Sequence, residues 1–189
     1  MATPVLHLVV GPNGAGKTTF YERVLGPATR LPFINADRIA LERWPDDPGA
    51  HSYEAAALAD ERRARAIADR RSFATETVFS HPSRLEWFRG AREAGYRVSL
   101  YVILIPEELA VLRVAIRAET GGHDVPESKI RSRFRRLWRL TRQAIELADD
   151  AEVLDNSRAA VPFRRVARYH RGKLVGAADW PSWTPPALP

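Results

Sequence analysis

The chain of 189 residues contains no cysteine. That excludes disulfides and cysteine-bound zinc or iron–sulfur centres, and it suits a reducing compartment. The histidines His7, His51, His81, His123 and His170 stand apart without ligand-like spacing, so no histidine metal site is expected. No stretch is long and apolar enough to cross a bilayer, and the N-terminus enters an apolar run without a signal-peptide pattern. A cytoplasmic protein with no membrane partner is therefore expected. Internal repeats and low-complexity blocks are also missing.

What is present bounds the answer further. A hydrophobic content of 45% in 189 residues is enough for one sizeable core, and the expectation is a single domain over residues 1–189. The net charge is +6, and almost all of the 29 basic residues are arginine. Such a balance fits either an anionic partner or simply a solvated basic surface.

The stretch GPNGAGKTTF, Gly11 to Phe20, follows the apolar run Val5 to Val10 and matches G-x-x-x-x-G-K-[ST] at every fixed position. Glycines at 11, 14 and 16 let successive backbone N–H groups turn inward onto phosphate oxygens, and the helix that begins here points its positive end the same way. Lys17 adds a charge for the β- and γ-phosphates, and Thr18 a hydroxyl for Mg²⁺. The expected cofactor-binding set is Gly11, Asn13, Gly14, Ala15, Gly16, Lys17, Thr18 and Thr19, with ATP and Mg²⁺ as the cofactors and Thr18 as the metal ligand.

Downstream, the pattern alternates strands with helices. The helix after the loop is expected to stop at Gly26-Pro27, a breaker pair. Phe33-Ile34 reads as a short buried strand that brings Asn35 and Asp37 to its carboxyl end, where open parallel sheets bind ligands. Asp37 could equally cap the helix that follows. An Ala-rich helix covers Tyr53 to Arg70, then SFATETVF, Ser72 to Phe79, reads as a strand carrying Glu76 and Thr77 near its end, and Pro82 to Ala94 as a helix. The most apolar, β-branched segment, Arg97 to Ile105, is the expected central strand. It ends at Pro106 without the acid that motor ATPases place there, and the chain has no N-K-x-D guanine motif. Both absences favour a small-metabolite kinase.

Helices are expected over Glu107 to Glu119 and from about Glu127 to Asp149, separated by the break Thr120 to Pro126. The second has an apolar stripe of Ile130, Phe134, Leu137, Thr141, Ala144 and Ala148, with Arg131 and Arg133 on its edges and Arg135, Arg139 and Arg142 opposite, facing solvent. This helical pair, about residues 113–135 with Arg113 and Arg117 on its first member, has the form of a lid over phosphates or, alternatively, of a charged surface hairpin. A last parallel strand, Ala151 to Leu154, leads to Asp155-Asn156-Ser157, where Asn156 is a candidate on the nucleotide-base side. A hairpin follows around His170 to Gly172. The Pro-rich tail, residues 180–189, should dock Trp180 and Trp183 and fray at its end.

Taken together, GPNGAGKTTF, NAD followed by RIA, SFATETVFS, GYRVSLYVILIPEELAVLRV, GGHDVPESKIRSRF and VLDNS resemble, in order and over nearly the whole chain, the zeta-toxin family of P-loop kinases. The resemblance implies an α/β P-loop kinase fold, with a mostly parallel central sheet flanked by helices and a helical lid. It implies transfer of the ATP γ-phosphate to a sugar hydroxyl of UDP-N-acetylglucosamine or a related nucleotide sugar. By the family's motifs, Asp37 is the catalytic base, Lys17 holds ATP, Arg117 and Arg133 neutralise the transferring phosphoryl group, and Asn35, Asp37, Glu76 and Thr77 lie on the acceptor side. Arg113 and Arg131 are further candidates. Toxic members carry a hydroxyl contact beyond the central strand, where this chain reads VILIPEE, and the chain looks like the compact chromosomal branch. An antitoxin partner is possible but not implied by the chain. The alternatives are a kinase for another small hydroxyl compound or a nucleic-acid end, the latter disfavoured by the lack of stacking aromatics, and a non-catalytic ATP-gated interaction module.

Overall fold

A computed structural model describes residues 2–119 and 125–188. The elements run β1 (Val5–Val10), α1 (Lys17–Phe20), a π-helical turn (Tyr21–Leu25), α2 (Gly26–Thr29), β2 (Phe33–Ile34), α3 (Ala36–Arg43), α4 (Ser52–Ala68), β3 (Phe73–Thr77) and α5 (Pro82–Glu93). They continue with β4 (Arg97–Leu104), α6 (Glu107–Glu119), α7 (Glu127–Leu147), β5 (Asp150–Asp155), β6 (Arg164–His170) and β7 (Lys173–Leu174). The strands form one seven-stranded sheet in the order β2-β3-β1-β4-β5-β6-β7. The pairings among β1 to β5 are parallel, and β6 and β7 add antiparallel at one side. The fold is thus the expected α/β architecture, a mostly parallel sheet flanked by helices.

Position in the sheet follows from composition. β1 and β4 are neighbours at the centre, and Leu6, Leu8, Val9, Val10, Val98, Leu100 and Val102 are buried there. Central parallel strands are covered on both faces, which is why these two read as nearly continuous apolar runs. α7 buries the stripe that its 3.6-residue period demands, Ile130, Phe134, Leu137, Thr141 and Ala144, and Trp138 and Ile145 widen it; the helix ends at Leu147, so Ala148, also buried, lies just past it in extended backbone.

Three expectations change. The helix after the phosphate loop does not end at Gly26-Pro27: it passes through the π turn and continues as α2, with Pro27 in the first turn. The proline enters where the ladder has already widened to the i→i−5 bond from Gly26 N–H to Tyr21 O, so its missing N–H falls at an existing irregularity of the helix. The tail does not fray before its end, because Leu188 is fully buried and its carbonyl accepts from Arg142 Nη1 at 3.0 Å. Arg142 is consequently not solvated on the outer face of α7; its guanidinium also lies over the Tyr169 ring, 5.9 Å from the centroid.

Candidate functional site

The loop between β1 and α1 wraps closely against the rest of the fold. Gly14 (φ 73°) and Gly16 (φ 88°) adopt left-handed backbone conformations, and a Cβ on either would meet Ala110 O at 2.9 Å or Asn156 Nδ2 at 2.7 Å. Only glycine fits both demands. Asn156 Nδ2 donates to Ala15 O at 2.9 Å, and Arg113 Nη2 donates to Asn156 O at 3.0 Å. The loop after β5 and the first half of α6 therefore brace the phosphate loop from outside. Inside it, Lys17 is buried and donates through Nζ to Pro12 O at 2.9 Å. Burial pushes the Lys17 pKa down, opposed by the nearby negative charges of Glu76 and Asp37.

β3 lies beside β1, with Glu76 paired to Val9 and Thr77 to Val10. This register sets the Glu76 carboxylate against the first turn of α1, where Thr18 Oγ1 donates to both of its oxygens at 3.1 and 3.0 Å. The acid missing from the end of β4 thus stands on the other neighbour of β1. Burial pushes the Glu76 pKa up, and Lys17 and the Thr18 hydroxyl oppose the shift. Asn35 closes the same corner. It is the N-cap of α3, its Oδ1 accepting from Arg38 N at 2.8 Å, and its side chain is a further, smaller influence holding the Glu76 pKa down. Capping therefore falls to Asn35 and not to Asp37, and the Asp37 carboxylate is left exposed in the first turn of α3.

These groups line one cavity of about 810 Å³, at the upper end of the size range of small-molecule sites. Asn13, Gly14, Gly16, Lys17, Thr18 and Thr19 form one side, and Asn35, Asp37, Glu76 and Thr77 another; Arg113, Arg117 and Arg133 reach it from α6 and α7. Gly11, Ala15 and Asn156 do not line it, and support the loop instead. Arg131 is also elsewhere: it donates to Glu108 at 2.6 and 2.8 Å and to Glu127 at 2.8 Å, tying α7 to α6. The glycines and histidine of the break between α6 and α7, Gly121 to His123, fall outside the described residues. Sequence reading missed several lining residues, namely Tyr53, Arg63, His81, Arg84 and Lys129. The available signal was a helical one, since Tyr53, Ala56 and Arg63 share a face of α4.

The donor set suits a hard cation. A hydroxyl and a carboxylate meet at Thr18 and Glu76, while no group of three or more His, Cys, Asp or Glu side chains among the described residues could enclose a metal alone. A metal at this place needs phosphate oxygens to complete its shell, which is the habit of Mg²⁺. Asn13 Oδ1, buried at the cavity wall, also lacks a hydrogen-bond partner among the described residues.

A phosphate loop between the first strand and first helix of a mostly parallel sheet, facing carboxylates at the ends of β3 and β2 on one side of it, defines a P-loop fold of the kinase kind. The sequence matches the AAA domain family, AAA_33, over residues 6–140, and the chain belongs to that family. No curated protein matches it in sequence. Among solved structures it resembles the AvrRxo1-ORF1:AvrRxo1-ORF2 complex with sulphate ions, at a TM-score of 0.70 and 17% identity, covering 92% of this chain and 61% of that one. It also resembles the PezAT chromosomal toxin–antitoxin system of Streptococcus pneumoniae, with TM-score 0.64, 15% identity, and 89% and 72% coverage. Shikimate kinase from Acinetobacter baumannii in complex with shikimate matches at 0.53, with 20% identity and 84% and 87% coverage. At these identities the likeness concerns the fold. No described helix is long and apolar enough to cross a membrane.

Proposed function

We propose that the protein is an ATP-dependent kinase of the zeta-toxin type, which transfers the γ-phosphate to a hydroxyl of UDP-N-acetylglucosamine or a related nucleotide sugar. The observation that carries this reading is the cavity in which Asp37 and Glu76 face Lys17, Arg117 and Arg133. Binding a nucleotide alone does not require Asp37. In the proposed reaction Asp37 accepts the proton of the acceptor hydroxyl as its oxygen bonds to the γ-phosphorus, and the bond to the β-phosphate oxygen breaks to release ADP. Phosphoryl transfer asks mainly for positioning and charge stabilisation, so Asp37 need not be strongly basic. Arg117 and Arg133 supply permanent charge and a fork of donors for the equatorial oxygens. Mg²⁺, which would neutralise phosphate charge, would be held by Thr18 and Glu76; this places Glu76 on the metal side as well as near the acceptor. Residues 113–135 would act as the lid, since α6 and α7 bring Arg117, Lys129 and Arg133 to the cavity mouth.

The AvrRxo1 complex has also been solved with ATP, which is consistent with a nucleotide in the matching fold. That complex and PezAT each include a second protein, and whether this chain has such a partner is answered by affinity purification from its own cells. The central test is incubation with Mg-ATP and a panel of nucleotide sugars, read by mass spectrometry. A product heavier by one phosphate is expected. Asp37→Asn should lower its rate by roughly 10²- to 10⁴-fold while retaining ATP binding. If no nucleotide sugar in the panel is phosphorylated, this acceptor class is wrong.

A further inference from the structure

We propose that Arg63 and Arg84, bridged by Asp60, form a subsite for an anionic oxygen group, phosphate or carboxylate, on the molecule that accepts the phosphoryl group. The proposal rests on the kinase reading and deepens it. Its starting point is a helix face. Tyr53, Ala56, Asp60 and Arg63 are spaced i, i+3, i+7 and i+10 along α4, and Arg63 also continues the buried stripe of Ala55, Ala59 and Ala66, so it stands where the cavity face meets the core. Tyr53, Ala56 and Arg63 of that face line the cavity.

Arg63 is only 7% exposed and yet borders this space. Its Nη1 donates to Thr75 Oγ1 at 3.2 Å and its Nη2 to Asp60 Oδ1 at 2.6 Å, while its guanidinium lies 5.9 Å from the Trp87 ring centroid. Thr75 is itself fixed, because its hydroxyl donates to Ile34 O at 2.6 Å. The orientation of the guanidinium is thereby set before any ligand arrives. From α5, Arg84 donates to the same carboxylate, through Nη1 at 2.6 Å and Nη2 at 3.3 Å.

Two permanent cations thus share one carboxylate, leaving one positive charge in excess where one partner is buried. Removing an arginine from water is costly unless its charge is met, and Asp60, shared with Arg84, meets the charge of Arg63 only in part. Arg63 also uses only two of its five N–H donors in these hydrogen bonds. The place matters as much as the charge. Thr75 directly precedes Glu76 on β3 and is paired with Ile34, which directly precedes Asn35. The subsite therefore adjoins the Asp37 side of the cavity, apart from the phosphate loop, where Lys17, Arg117 and Arg133 meet the donor. Tyr53, 79% exposed at the rim of the same face, offers an aromatic cover to whatever the anion carries.

The test uses the full chain with its donor site saturated by Mg-ADP. Calorimetric titration follows with UDP-N-acetylglucosamine, N-acetylglucosamine 1-phosphate, glucuronate and uncharged N-acetylglucosamine. At least one anionic probe should bind and the uncharged sugar should not; the phosphate and carboxylate arms distinguish the two groups. Arg84→Gln should weaken that probe roughly tenfold or more, the scale of a lost charge-assisted bidentate contact, with Mg-ADP affinity and thermal midpoint kept. Arg84 is used because Arg63→Gln removes a buried brace and risks unfolding. Equal binding of charged and uncharged sugars, no binding by any probe, or wild-type affinity in Arg84→Gln would each overturn the subsite. If Mg-ADP itself failed to bind the wild type, the kinase reading would fall and the subsite with it.

Discussion

Glu76 shows how a single residue can serve a site at the expense of the fold. Its folded carboxyl titrates above the ordinary glutamate value because burial disfavours the charge. An acid whose pKa is raised on folding favours the folded state below its unfolded pKa, and that contribution is lost as pH rises through the folded value. The nucleotide-free protein should therefore lose stability relative to Glu76→Gln as pH rises from about 4.3, the unfolded value, toward the raised folded one. Urea unfolding of both chains across that range checks it, and parallel curves would refute it. His7 works in the opposite sense. Burial lowers its pKa, so its contribution is intact above about pH 6.5, the unfolded value, and declines as pH falls toward the folded one. Gly16→Ala should fold poorly around the loop and bind nucleotide far more weakly, since its Cβ would collide with Asn156 Nδ2 as well as strain the backbone. Fluorescent-nucleotide titration reads this directly.

At the scale of elements, two arginines of α7 make a controlled pair. Arg131 is engaged by carboxylates on its outer side, while Arg133 borders the cavity. Exposed ion pairs contribute little, so Arg131→Ala should change stability only slightly and leave turnover unchanged. Arg133→Ala should leave stability alone and lower turnover by roughly 10²-fold or more. Reversed outcomes would exchange their roles. Asn35→Ala removes the cap of α3 and should cost about 1–2 kcal/mol. Most element boundaries were legible from the sequence because long periodic stretches such as α7, and the apolar run of β4, leave few alternatives. The phosphate loop was legible because its glycines perform a task no other residue can. Arg63 and Arg84 were not, because their meaning depends on two helices meeting over one aspartate. Nor could the role of Arg131 be read, since both edges of the α7 stripe carry arginine and only packing on α6 decides between them.

Across the whole molecule, the C-terminal segment belongs to the fold. Leu188 is 0% exposed, and its carbonyl holds Arg142 on α7. Leu188→Ala should cost about 2–5 kcal/mol, the range for an emptied leucine site, measured by urea unfolding. The register of the sheet has a consequence for changes in chain length. Phe33 and Ile34 pair with Ala74 and Thr75, and Val9 and Val10 with Glu76 and Thr77, so β3 works as a ruler between the loop that carries Lys17 and the turn that carries Asp37. Deleting one residue inside β3 would turn Glu76 to the opposite face and separate it from Thr18. The loop from Asp46 to Ala50, which carries no strand pairing, should absorb an inserted residue with little loss. Natural variation in length is therefore expected to collect in that loop and to be missing from the five residues of β3.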